Sequence, residues 1–419
     1  MPRTRPTLLA LSAALACTLA AAPAAQADRG GGHGDPGSGG RGGGTVRFAT
    51  FNASLNRAEQ GGLVEDLSKP GDKQAQAAAE VVQRTRPDVL LVNEFDYDEH
   101  GRAAELFQRN YLARPQNGAA PIRYRYRYTA PVNTGAASGF DLNNDGRTVT
   151  EPGAPGYGDD AYGFGAFPGQ YGMVVYSRYP IDRGAVRTFR TFRWADMPGA
   201  LLPTDPETGE DYYSEQEREK LRLSSKSHWD VPVRPGRGRP VHLLASHPTP
   251  PSFDGPEKRN VARNHDENRF FADYVAPSRS GYIYDDEGRR GGLHPGARFV
   301  IAGDLNADPE DGDGHPRATL QLLESSRVDG RVRPTSEGAP QAAEEQGGAN
   351  AQHTGDPALD TADFGEPQPG NLRVDYVLPS RGLPVVDTRV FWPAAGRPGA
   401  EAAAKASDHH LVWLDVRHR

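Results

Sequence analysis

From Thr45 onward the chain is dominated by short apolar runs, many of them alternating with polar positions at period two. "TVRFATFN" sets Val46, Phe48 and Thr50 against Arg47, Ala49 and Phe51, the pattern of a strand ending at Asn52. "DKQAQAAAEVVQRTRP", Asp72 to Pro87, is rich in helix formers and predicts a helix stopped by its proline. "DVLLVNEFD" follows at once, a buried strand over Val89–Val92 with Glu94 at its exit. "RYRYRYT", Arg123 to Thr129, predicts a strand with arginines on one face and tyrosines on the other. "YGMVVYSRYPI" and "GAVRTFRTF" give two successive strands. "RPVHLLASHPTPP" gives a strand ending at His247, and "RNHDENRFFADYV" a helix after it. "ARFVIAGDLN", "RVDYVLPS", "VVDTRVF" and "HHLVWLDV" complete the set. Strands outnumber helices, and polar residues gather just past strand C-termini. That combination predicts α/β layering: packed sheets, covering helices and a site at one end of the strands. Stretches 133–169, 197–222 and 308–371 show no period. Unpatterned segments of that length are usually functional or unstructured.

The N-terminus belongs to a different class. Arg3 and Arg5, an apolar run from Leu8 to Ala22 and small residues ending at Ala27 predict a secretory signal peptide cleaved after Ala27. The run is short of the roughly 20 residues a membrane span needs, and no later stretch reaches that length. The protein is therefore expected to be exported, without membrane insertion. Residues 28–44 form a glycine-rich leader with too little apolar surface to fold. Residues 45–419 read as one domain with long insertions. Cys17 is the only cysteine and falls within the expected signal peptide, so the exported chain has no disulfide to form. The whole chain carries a formal charge of −7; without Arg3 and Arg5, 46 basic residues face 55 acidic ones. Such a balance does not favour nonspecific nucleic-acid binding, although a local positive cleft would still hold phosphate.

The strand ends carry the chemistry. Glu94, Asp304 and Asp408 each sit beside an apolar strand, where a lone carboxylate is costly to desolvate. Any one of them alone reads as a turn or cap residue. Together with Asn52 and Asn306 they form a set of hard oxygen ligands suited to Mg²⁺, Mn²⁺ or Ca²⁺ rather than zinc. His247 and His409 also stand at strand ends, and Asp375 offers a carboxylate to orient one of them. Such a histidine can donate to a phosphate oxygen or protonate a leaving group.

In this order, "FATFN", "NEFD", "SRYPI", "SHPTPP", "GDLNAD", "VDYVLPS" and "SDHHLVWLDV" resemble the endonuclease/exonuclease/phosphatase superfamily. That group includes deoxyribonuclease-type nucleases, abasic-site endonucleases, inositol-phosphate phosphatases and sphingomyelinases. The resemblance runs from about Thr45 to the C-terminus. It implies a four-layer αββα sandwich, with two mixed sheets face to face, helices outside and a divalent-metal phosphoesterase site at one edge. By matching positions, it implies Glu94 as principal metal ligand, Asn52 as auxiliary ligand or orienter and Asp408 as a second metal-side carboxylate. Asp304 and Asn306 would position water and phosphate, with Asp304 the favoured general base. Asp375 would orient His409, and His247 would contact phosphate or serve the leaving group. The implied function is a secreted phosphoesterase that directs water in line at a phosphodiester or phosphomonoester. An extracellular nuclease and a non-catalytic binding module on the same fold are the alternatives.

Outside those motifs, "RLSSKSHWDVP" places Lys226 and His228 where a substrate-contacting loop would lie, an exposed polar strand being the blander reading. Asn264 is a third substrate-binding candidate. "DLNNDG", Asp141 to Gly146, opens like a calcium loop, but Pro152 stands where the closing glutamate belongs. It reads as a turn, with a structural Ca²⁺ site as the lesser alternative.

Overall fold

The computed structural model describes residues 44–418 apart from 237 and 366. The expected signal peptide and all but the last residue of the leader lie outside the described residues. Strands are β1 (Thr45–Asn52), β2 (Val89–Asn93), β3 (Tyr126–Tyr128), β4 (Met173–Ser177), β5 (Arg187–Thr188), β6 (His228–Val233) and β7 (Val241–Ser246). They continue with β8 (Arg298–Asp304), β9 (Ala362–Asp363), β10 (Asn371–Leu372), β11 (Asp375–Pro379), β12 (Val385–Val390) and β13 (Val412–Arg417). Helices are α1 (Gly62–Leu67), α2 (Lys73–Thr85), α3 (Arg102–Phe107), α4 (Glu215–Arg218), α5 (Arg259–Tyr274), α6 (Leu320–Leu323), α7 (Gly338–Gln346) and α8 (Ala400–Ala406).

One mixed sheet has the order β12-β13-β1-β2-β4-β3, the other β11-β8-β7-β6-β5, and β9-β10 form a separate hairpin. Three apolar layers hold them. Phe48, Leu91, Val175 and Leu414 of the first sheet meet Trp229, Val231, Leu243, Val300 and Val377 of the second. On its outer face the first sheet sets Phe51, Leu90, Val92 and Tyr176 against Leu63, Ala75, Val82, Ala103 and Ala402 of the helices. The second sheet sets Leu244, Phe299, Ile301 and Tyr376 against Phe270, Phe271 and Tyr274 of α5 and Leu322 of α6. The result is the expected helix–sheet–sheet–helix sandwich.

Period-two alternation explains the layering, because each strand sends successive side chains to opposite faces. In β1 the even positions enter the inter-sheet layer and the odd apolar ones the helix layer. Asp72 caps α2 by accepting the Ala75 N–H at 2.7 Å. At the other end Arg86 takes a left-handed conformation before Pro87.

Two parallel pairs fix where the site forms. β1 pairs parallel with β2, with α1 and α2 between them in sequence; β7 pairs parallel with β8, with α5 between them. Parallel neighbours need a crossover, and the crossover helix covers the outer face. Each pair also brings two strand C-termini to one edge: Asn52 beside Asn93, and Ser246 beside Asp304. Gly303 permits the second approach, since a Cβ there would collide with the Ser246 carbonyl. Asn93 ties the edges together, accepting from Thr50 Oγ1 at 3.1 Å and donating to the Ser246 carbonyl at 3.3 Å.

Three expectations need correction. The Arg/Tyr alternation yields a strand of only Tyr126–Tyr128, and the segment around Val186 only Arg187–Thr188. Both lie at sheet edges, where one neighbour is missing and pairing stops early. His228 to Pro232 is neither a loop nor an exposed strand. β6 is buried along its whole length, with Trp229, Val231 and Val233 between the sheets.

Candidate active site

At that shared edge, three side chains and one backbone N–H converge on one carboxylate. Asp304 Oδ2 accepts from Asn52 Nδ2 at 3.1 Å and faces His247 Nε2 at 3.3 Å and His409 Nε2 at 3.7 Å. Its Oδ1 accepts the Asn306 N–H at 2.9 Å. Asn52 also donates to Glu94 Oε1 at 3.1 Å, and Asn56 donates to Glu94 Oε2 at 2.9 Å. Glu94, Asn306 and Ser54 all have positive φ, 53°, 50° and 47°. Asn is tolerated in that region; Glu and Ser are held there only by their surroundings.

His409 is locked from behind. Its Nδ1 meets Asp375 Oδ2 at 2.8 Å, and Thr361 Oγ1 donates to the same oxygen at 3.0 Å. Thr361 Oγ1 in turn accepts the Asp375 N–H at 2.9 Å. Burial alone would lower the His409 pKa, but Asp375 and Asp304 outweigh it and raise it to about 10. Asp304 shows the mirror image: burial favours its neutral form, yet His409 and His247 hold it ionised, well below the usual carboxylate range. His247 goes the other way, lowered by burial and by nearby Lys226. The site therefore pairs a cationic imidazole with a neutral one across a single carboxylate.

Asp408 stands at the exposed rim, where Ser54 Oγ reaches it at 3.5 Å and Ser407 Oγ at 3.2 Å. Ser54 N–H donates to Asn52 Oδ1 at 3.2 Å, which links the rim to the centre. Asn306 Nδ2 donates to the Pro248 carbonyl at 3.1 Å. Lys226 is buried with its Nζ 3.4 Å from that same carbonyl, and its nearest opposite charges are Glu267, Glu94 and Asp304. Burial lowers its pKa from the ordinary lysine value, and its one hydrogen bond is long.

None of the three expected substrate contacts is on the cleft surface: besides Lys226, His228 and Asn264 are buried. His228 is 1 % exposed, held between Ser224 Oγ at 2.6 Å and the Glu267 carbonyl at 2.9 Å, against Phe270 and Phe271. Asn264 is fully buried on α5, and its Nδ2 reaches the carbonyls of Thr249, Leu305 and Asn306 at 2.8–3.2 Å. Beside it Glu267 accepts from the N–H groups of Ser225 and Thr249. These residues brace the His247 and Asp304 loops from beneath. Asn56, Ser54 and Thr361 were missed, because single polar residues in irregular segments have no pattern to reveal them.

The donor set fits a divalent cation. Asp304, Asp375 and His409 offer ligand atoms within 4.8 Å of one another, the imidazole only once its proton is lost, and Asp375 Oδ1 is buried without a partner. The carboxyl oxygens of Glu94 and Asp408 extend that set with the hard donors such an ion prefers. The "DLNNDG" loop is spent on its own backbone: Asp141 accepts from the N–H of Asp145 and Gly146, and Asp145 from that of Arg147. Asp308 likewise accepts from the N–H groups of Glu310, Asp311 and Arg373. Among the described residues no helix is long and apolar enough to cross a membrane.

The chain is similar to several solved structures at low identity. One is an endonuclease/exonuclease/phosphatase from Beutenbergia cavernae, at 18 % identity, 89 % of this chain, 72 % of that chain and a TM-score of 0.46. Sphingomyelinase C from Streptomyces griseocarneus matches at 15 % identity, 88 % and 99 % coverage and a TM-score of 0.42. Beta toxin from Staphylococcus aureus, solved with bound magnesium ions, matches at 12 %, 89 % and 99 %, with a TM-score of 0.41. No curated protein sequence matches it. The model of the Endonuclease/Exonuclease/phosphatase family matches residues 49–409, and with the sandwich and the residues at its edge this makes the chain a member of that family.

Proposed function

We propose that this protein is an exported, divalent-metal-dependent phosphoesterase that hydrolyses phosphodiester or phosphomonoester bonds by in-line attack of water. Its family includes metal-dependent phosphoesterases, nucleases and sphingomyelinases. The observation that carries the reading is the convergence of Asn52, His247 and His409 on Asp304, with Glu94 one amide away.

Asp304 accepts a hydrogen bond from the attacking water and sets its line of approach. As the new P–O bond forms and the P–O bond to the leaving group breaks, Asp304 takes the water's proton and the departing oxygen gains one from solvent. His409, kept cationic by Asp375, donates to a phosphate oxygen, and Asn306 adds hydrogen bonding on the same face. His247, flanking Asp304, would contact a phosphate oxygen or the leaving oxygen by hydrogen bonding. Mg²⁺, Mn²⁺ or Ca²⁺ at Glu94, Asp408 and neighbouring oxygens would neutralise phosphate charge and assist the departing alkoxide.

The test is turnover of a chromogenic phosphodiester and a phosphomonoester by the purified chain, with each cation and with EDTA. Activity lost in EDTA and lowered by about 10²–10³-fold in Asp304→Ala is expected. Turnover that survives both EDTA and Glu94→Gln would sink the proposal. Export is tested separately: protein recovered from the medium should begin at Asp28.

A further inference from the structure

Beside the catalytic edge lies a cavity of about 500 Å³, walled by α7, the segment after β12, α8 and the Ser407–His410 turn. Its ionisable lining is one-sided. Glu345, Asp363 and Asp408 face it, with no lysine or arginine among the lining residues. Trp392, Pro393, Ala342 and Ala400 supply apolar wall. His410, 4 % exposed, forms part of the wall, stacks on Trp392 at 3.8 Å between centroids, and leaves its Nδ1 without a partner. A second cavity, lined by Arg123, Arg125 and Arg178, has the opposite charge and lies at the other end of the strands.

We propose that the Glu345–Asp363–Asp408 cavity binds a cationic, amine-bearing part of the substrate while the phosphate occupies the Asp304 site. This rests on the phosphoesterase reading above. Position supports it: Asp408 belongs to both the cavity wall and the catalytic rim, and the Asp363 N–H donates to the Asp408 carbonyl at 2.8 Å. Size supports it as well, since the volume suits a small organic group and exceeds what a bare ion needs. Among the described residues, Glu345 and Asp363 accept from neutral amides, Gln341 at 2.8 Å and Gln346 at 3.0 Å. Their charge is left for an ammonium group, and the apolar wall covers the adjoining carbon chain.

Two p-nitrophenyl phosphodiesters that differ only in the second ester group, 2-aminoethyl or propyl, separate charge from size. The wild type should favour the aminoethyl ester by about tenfold in kcat/KM, roughly what two partly exposed ion pairs supply. Glu345→Gln with Asp363→Asn should bring that ratio to about one. So should Ala404→Lys, which places a cation in the cavity on an exposed helix position and removes no acid. Equal, metal-dependent turnover of both esters by the wild type would overturn this inference and leave the phosphoesterase reading standing. If neither ester turns over, ligand-observed NMR with butylammonium decides. Saturable binding that weakens in the variants would support the cavity while the catalytic reading falls. Absence of binding would overturn the cavity.

Discussion

At the scale of single residues, the site consists of a few groups facing the cleft and several that hold them. Asn56 is the plainest of the holders. It touches only Glu94 among the site carboxylates and fixes the second oxygen of a side chain whose backbone is already in an unfavourable conformation. Asn56→Ala should weaken apparent metal affinity by roughly tenfold, in line with the usual cost of losing a ligand's hydrogen-bond partner. A titration of activity against Mg²⁺ should show a shifted midpoint with kcat largely retained at saturation. Thr361 plays the same part behind Asp375. Thr361→Val should lower kcat by about tenfold, because Asp375 keeps His409 but loses a second donor. A change in KM alone would argue that His409 is not held through this threonine.

At the scale of elements, α5 reaches two site loops at once. Asn264→Ala would leave the carbonyls of Thr249, Leu305 and Asn306 short of a buried donor. We expect a loss of about 2–3 kcal/mol in stability by denaturant unfolding, with a fall in kcat larger than the change in KM. How much of this was legible in the sequence follows from where each element draws its stability. β1, β2, β7, β8 and β13 announce themselves because their burial pattern is written in alternating or continuous apolar residues. The polar residues at their ends were equally visible, as Asn52, Glu94, His247 and Asp304 interrupt that pattern. β6 misled because half of its face is polar in composition but paired in space. His228 has Ser224 and the Glu267 carbonyl, while Asp230 has Tyr274 at 2.7 Å and His242 at 2.6 Å. Only the fold supplies those partners. The 308–371 stretch was opaque for a related reason. Its short α6, α7 and hairpin are stabilised by contacts distant in sequence, such as the Gly338 N–H of α7 to the Trp392 carbonyl at 2.9 Å.

At the scale of the whole molecule, stability rests on apolar layers rather than cross-links. Cys17 is the only thiol and lies outside the described residues, so the melting temperature should be unchanged by reductant. It should depend on pH. Burial raises Asp96 to about 7, and burial with the nearby Asp308, Asp311 and Asp356 raises Asp360 to about 8. A carboxyl with a raised pKa in the folded state stabilises it fully only below the unfolded value, near 4. That contribution is lost as pH rises through 7 and 8. The melting temperature is therefore expected to decline between pH 6 and pH 9, with a shallower slope in Asp360→Asn.

Asn52 belongs to one sheet and Asp304 to the other, and they meet through a single hydrogen bond. The pair works like the tips of a caliper whose arms are the two sheets. A slip of one strand position, about 3.3 Å, would open the tips although every residue kept its local structure. Activity is therefore a gauge of alignment across the entire inter-sheet layer. A chain whose core is repacked slightly out of true should stay folded, yet fall silent before any spectroscopic sign of unfolding.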